Sequence, residues 1–158
     1  MINDNFALTG ALTIAINDVV VQETKNLVVT VGKNWVANRL KDIVTGFTQK
    51  DQMSHMAIGT DTTPNSGATV VKVADTALVT EDDRNLLTTA GGTVTTNAIA
   101  YACTWAANDP SSTVTKAITE AGIFNAASGG DMFARTKFAV VNKAPADALT
   151  ITWTITVS

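Results

Sequence analysis

From Leu149 to Val157 the chain alternates without interruption, with Leu149, Ile151, Trp153, Ile155 and Val157 on one parity and Thr150, Thr152, Thr154 and Thr156 on the other. A period of two belongs to a strand, whose successive side chains point to opposite faces, so this segment predicts a strand with one apolar and one hydroxyl face. Threonine suits the hydroxyl face because its β-branched side chain favours an extended backbone. Less regular runs predict further strands at Leu12–Val21, Met56–Gly59, Arg84–Thr89, Ala98–Trp105, Ala121–Asn125 and Met132–Val140. Loops are expected at Asp61–Gly67, at Asn108–Ser112 and at 126–131, where Gly129 and Gly130 supply positive φ.

One segment changes period. Val36, Leu40, Ile43 and Phe47 recur at i, i+4, i+7 and i+11, with Trp35 and Val44 widening the stripe. That spacing predicts an amphipathic helix over about Lys33–Phe47, its apolar side laid across a sheet. The fold class expected is mainly β: an antiparallel β-sandwich or barrel with one packed amphipathic helix. Residues 27–158 read as a single β-rich domain, and residues 1–26 as an N-terminal arm or edge strand able to reach a neighbouring subunit.

Composition narrows the function. The chain has 158 residues, of which 26 are threonine, against 25 charged residues in all (11 Lys and Arg, 14 Asp and Glu). Few charges and a mean hydropathy of +0.17 leave apolar and hydroxyl surface for other subunits to cover. A net charge of −3 and a pI near 4.9 lack the basic field of a nucleic-acid binder. No apolar run approaches the ~20 residues that span a bilayer, so no membrane partner is expected. Met1-Ile2-Asn3-Asp4 shows no basic region ahead of an apolar stretch, and Cys103 is the single cysteine. The expectation is a protein made in a reducing cytoplasm, without a disulfide framework.

Chemistry-bearing residues are sparse. Cys103, within an apolar strand-like run, reads as a small buried hydrophobe. His55 is the only histidine and reads as a strand-edge residue; with one His and one Cys, no cysteine-built zinc site is expected, and neither a His-rich metal site nor a Ser/His/Asp triad can be assembled except around that residue. Glu81, Asp82 and Asp83, with Asp75 upstream, form the densest acidic cluster. They lack the ligand spacing of a calcium loop, and the readings are a solvated turn, pairing with Lys or Arg of another subunit, or an ion site. Glu120 is a candidate buried carboxylate paired with Arg135. Gly91-Gly92 and Gly129-Gly130 read as hairpin tips and match no phosphate-binding spacing. Trp35, Trp105 and Trp153 sit on apolar periodic faces and read as core, the alternative being a sugar-stacking platform. The expectation is no enzyme, no catalytic residue, no metal and no cofactor.

Several blocks together resemble small tailed-bacteriophage virion structural proteins. They are the strand-to-helix segment 27–40, the segment 53–64, Asp75-Thr76-Ala77-Leu78, and above all the run from Ile118-Thr119-Glu120-Ala121-Gly122-Ile123-Phe124 through Met132-Phe133-Ala134-Arg135-Thr136 to Val141-Asn142-Lys143. Proteins of this kind are labelled tail-fibre, head or decoration, or uncharacterised structural proteins, and the resemblance carries no catalytic residues. It implies a virion location. Small size, one rigid domain and threonine-rich surface then suit a capsid decoration (cement) protein. Such a protein binds the outer head lattice as a homo-oligomer, a trimer being favoured, with the major capsid protein or other virion proteins as partners. The expected contacts are the threonine faces, the loops Asp61–Gly67 and Asn108–Ser112, and the N-terminal arm. The alternatives are a tail, baseplate or fibre-attachment component, or a receptor- or carbohydrate-binding module.

Overall fold

The alternating C-terminal segment is the middle strand of a sheet. The computed structural model describes residues 7–40, 51–64 and 70–158. In chain order its elements are β1 (Leu8–Ile16), β2 (Val19–Lys25), β3 (Leu27–Val28), α1 (Thr30–Arg39), β4 (His55–Gly59), β5 (Glu81–Leu86), β6 (Thr93–Thr95), β7 (Ala98–Trp105), β8 (Lys116–Phe124), β9 (Met132–Lys143) and β10 (Leu149–Val157). Two five-stranded sheets form, ordered β2-β1-β10-β7-β6 and β3-β9-β8-β4-β5, and every pairing is antiparallel. The fold is mainly β: a sandwich with one helix.

The inner faces meet in one core. Leu12, Ile14, Tyr101, Cys103, Trp105, Ile151 and Trp153 from the first sheet pack against Met56, Ile58, Ile118, Ile123 and Phe133 of the second. The second sheet also carries a smaller cluster of Ala57, Phe124 and Met132, residues of opposite parity to Met56, Ile58 and Ile123. Val29, Val31 and Leu78 cover it. That sheet is therefore buried on both sides, and its outer side is covered by the start of the helix and the segment before β5.

Several expectations change; β8 begins at Lys116, well ahead of the strand expected at Ala121–Asn125, and β9 runs on to Lys143 past the expected Val140. The strand expected at Leu12–Val21 is a hairpin, because Asn17 and Asp18 both take positive φ (48° and 65°) and turn the chain between β1 and β2. Asn and Asp tolerate that left-handed conformation, which is the one a two-residue hairpin turn requires. Of the 1–26 stretch, residues 8–25 are this hairpin: β1 lies between β2 and β10, and β2 forms the edge. The helix begins at Thr30 rather than Lys33, and Leu40 closes its last described turn. Ile43, Val44 and Phe47 lie outside the described residues, and Leu40, expected on the apolar stripe, is 80% exposed. What docks the helix is Gly32, whose missing Cβ would lie 2.0 Å from the Phe133 carbonyl oxygen, together with Trp35 edge-on to Phe133. Finally, β5 starts at Glu81, three residues ahead of the strand expected at Arg84–Thr89, and the short strands β3 and β6 carry no alternation to announce them. The 126–131 loop is as expected, with Gly129 and Gly130 at positive φ. Of the Asp61–Gly67 loop, residues 65–67 lie outside the described set.

Candidate functional site

The chemistry-bearing side chains gather on the outer side of the second sheet. Glu120 on β8 and Lys137 on β9 are direct cross-strand partners, and Arg135 lies two residues before Lys137 on the same face. All three are buried, as is Asp61 from the loop after β4. Gly59, opposite Glu120, makes the room: a Cβ there would come within 2.7 Å of Glu120 Oε1. Glu120 accepts four hydrogen bonds, from the backbone N–H of Thr80 (2.8 Å) and Val79 (3.2 Å) and from Arg135 Nε (3.1 Å) and Nη2 (2.7 Å). Arg135 Nη1 reaches Asp75 Oδ2 at 2.6 Å. Lys137 Nζ donates to Asp61 Oδ2, to the Thr63 carbonyl and to Thr63 Oγ1. Asp61 Oδ1 accepts the Thr63 N–H and hydroxyl, while the Asp61 carbonyl takes the Thr119 hydroxyl.

Electrostatics follow from this geometry. Burial would raise the Asp61 carboxyl, but the Lys137 ammonium and the Thr63 donors hold it down at about 2. Burial would likewise lower Arg135, and its hydrogen bonds to Glu120 and Asp75 raise it instead. Both oxygens of Asp61 and of Glu120 have donors, and all three Lys137 protons have acceptors. This arrangement works as a clasp that fastens the 60–64 and 72–80 segments to the sheet. Asp75 also accepts the Lys72 N–H (2.9 Å), and the Val73 carbonyl takes the first helical amide, Thr30 N–H, at 2.6 Å, so the same segment ties the helix down.

The pairing of Glu120 with Arg135 is the one expected from sequence. Asp75 belongs to it and stands apart from Glu81, Asp82 and Asp83. Each of those three has its own partner: Arg84 grips both Glu81 oxygens (2.7 and 2.9 Å), Lys116 pairs with Asp82 (2.6 Å), and Trp105 Nε1 donates to Asp83 (2.8 Å). Burial, reinforced by Asp109 and Asp82, pushes the Asp83 carboxyl up despite the donors from Arg84 and Trp105. Arg84 also holds the 126–131 loop through the Ala126 and Gly129 carbonyls, each at 2.9 Å. Among the described residues no three His, Cys, Asp or Glu side chains are arranged to hold a metal.

His55 opens β4, half-buried, with Nδ1 2.8 Å from Ser54 Oγ; burial and then the Arg84 charge lower its pKa. Cys103 is free and fully buried. Trp105 and Trp153 are fully buried and Trp35 is packed at the core's edge, its Nε1 donating to the Asp51 carbonyl (2.7 Å). A groove of about 550 Å³ beside the clasp is lined by Gln22, Thr24, Thr63, Phe138 and Val140, with Asp61 and Lys137 already paired at its floor. No helix among the described residues is long and apolar enough to cross a membrane.

The outer side of the first sheet is different. Opposite in parity to the core residues, Thr9, Ala11, Thr13 and Ala15 on β1, Thr150, Thr152, Thr154 and Thr156 on β10, and Ala98, Ala100, Ala102 and Thr104 on β7 lie side by side in register. This face of the three middle strands has small and hydroxyl side chains and no charge. Thr104 and Thr150 hydrogen-bond across it at 3.0 Å. Sequence showed the β10 row; the alanines and threonines beside it became visible as one face only through the strand register. No protein-family model matches this chain, and no curated protein or solved structure matches it either.

Proposed function

We propose that this chain is a non-enzymatic structural protein of a bacteriophage particle, a capsid decoration protein that docks on the outer head lattice and stabilises it. The observation that carries this reading is the uncharged Thr/Ala face of the first sheet. An uncharged face of short side chains loses little conformational entropy on docking and can follow another protein's surface closely. Charge allocation points the same way: the buried ionic side chains are spent on fastening the chain's own loops. Many copies, each contributing a modest interface, would together resist outward pressure on the shell. The resemblance in 118–143 supplies the phage context, and those residues build the clasp and the second sheet rather than the docking face.

The test is cryo-EM with quantitative mass spectrometry of particles carrying the chain. Copies on the order of hundreds on the head, at a fixed ratio to the major capsid protein, are expected. Thr152→Lys and Thr154→Lys should strip the protein from the particle while leaving it folded. A few dozen copies or fewer at the tail would overturn the decoration reading in favour of an adaptor or fibre-attachment role.

A further inference from the structure

The outer edge of β2 is open: among the described residues no strand pairs beyond it. It is also apolar, with Val19, Val20 and Val21 exposed by 66%, 56% and 51%. Edge strands of stable monomers are ordinarily blunted by charge or proline, because exposed backbone donors and acceptors recruit other strands. β2 carries charge only in its second half, at Glu23 and Lys25, and begins with three consecutive exposed valines.

Its one irregularity decides what fits. β2 pairs with β1 as Ile14↔Gln22 and then Ala15↔Val20, so Val21 is a bulge and the parity of side chains reverses across it. Val19, Gln22 and Thr24 lie opposite Ile16, Ile14 and Leu12 and face inward; Val20, Glu23 and Lys25 lie opposite Ala15, Thr13 and Ala11 and face outward. Two copies of β2 laid antiparallel must match inward with inward and outward with outward. One register over the strand's length does so without opposing like charges. It sets Val19 against the partner's Thr24 and Val20 against the partner's Glu23, and brings Asp18, in the turn just ahead of the strand, beside the partner's Lys25. A shift by one residue sets inward Val19 against outward Lys25 or Glu23. A shift by two either brings the turn residue Asp18 beside the partner's Glu23, like charge on like, or sets inward Gln22 against outward Glu23.

We propose that β2 is a homotypic docking edge, through which a second copy pairs antiparallel about a two-fold axis with Asp18–Lys25 ion pairs at both ends. The two five-stranded sheets then become one continuous sheet. Because the axis stands perpendicular to that sheet, both Thr/Ala faces lie on the same side and form a single doubled surface. The association is two-fold, in place of the three-fold one favoured from sequence, and it holds whether or not the protein decorates a capsid.

Sedimentation equilibrium on the full chain tests it. The wild type is expected to dimerise. Val20→Glu sets like charges together twice per dimer and should weaken it roughly tenfold or more, whereas Val20→Lys meets the partner's Glu23 and should leave it within about threefold. Val20 is exposed and paired with Ala15, so at concentrations low enough to keep all three proteins monomeric the thermal melts of both variants should match the wild type. In the wild type, hydrogen exchange at the amides of residues 19–25 should slow as protein concentration rises, a readout that needs no variant. A chain monomeric at about 100 μM, a trimer, equal effects of the two substitutions, or exchange in 19–25 indifferent to concentration would overturn the proposal.

Discussion

Replacing Glu120 by alanine removes the acceptor of four hydrogen bonds at a site with no solvent exposure. Two consequences add. The Val79 and Thr80 amides lose their partners, at about 1 kcal/mol each. Arg135 stays buried with one of its carboxylates gone, and breaking a buried pair from one side costs about 3–5 kcal/mol. The upper end of that range does not apply, since Arg135 keeps Asp75 at 2.6 Å and Asp61 at 3.8 Å. A loss of about 5 kcal/mol is expected, as large as the low end of the roughly 5–15 kcal/mol that holds a domain folded. For a chain of this size that lowers Tm by about 10–20 °C. Glu120→Gln should lose about half as much: its one oxygen can still serve Arg135 and Val79, but its amide then faces the Thr80 N–H. Urea denaturation with hydrogen exchange reads both effects, and amides 79 and 80 should exchange faster in the alanine variant. A loss below about 1 kcal/mol, with those amides unchanged, would refute the reasoning that this carboxylate anchors the segment.

Acid should release the same clasp at its other end. The Asp61 carboxyl is held at about 2 against an ordinary 3.8, so its stabilisation is complete above the ordinary value and is lost as pH falls toward 2. The stability gap between wild type and Asp61→Asn should therefore narrow between pH 4 and about 2 in urea melts, and a constant gap would contradict the assignment. Burial, and then the charges of Asp109 and Asp83, push the Cys103 thiol up to about 12, so the native protein should resist thiol-specific reagents that label it fully in denaturant. Rapid native labelling would show that the strand around Cys103 opens. Gly32→Ala forces a methyl group onto the Phe133 carbonyl and should cost about 2 kcal/mol or more by chemical denaturation. A neutral result would mean that the helix does not approach β9 this closely.

Period carried most of the fold. β7 and β10 match the expected strands residue for residue, because each has one face in the core and the other at the surface, and burial writes itself into alternation. The β1–β2 turn was hidden because apolar residues run through both sides of it, from Ile14 and Ile16 to Val19, Val20 and Val21. The signal was present in Asn17-Asp18, two residue types that accept a left-handed backbone. The helix start was hidden because Val28-Val29-Thr30-Val31 is β-branched and favours strand by local preference. The close fit of Gly32 on β9, a tertiary contact, decides otherwise. β5 was obscured by Glu81-Asp82-Asp83, whose charges read as a turn until partners from distant segments are known. Of the clasp, Glu120 and Arg135 were legible as a pair. Asp61 and Lys137 were not, since 76 positions separate them and only the outer covering of the second sheet brings them together.

The position of β10 bears on how the chain comes to be folded. It joins β1, near the opposite end of the described chain, to β7, and before it exists the first sheet is only two separate hairpins, β1–β2 and β6–β7. Each of those hairpins leaves open the long strand edge that β10 will occupy. Closure over such sequence distances is slow, and the exposed edges invite pairing between molecules while it lasts. During synthesis the protein thus passes most of its time without a completed first layer. A chain shortened ahead of Leu149 loses the seam on which Leu12, Tyr101 and Trp105 close, and is expected to collect as aggregated hairpins rather than to survive as a smaller stable domain.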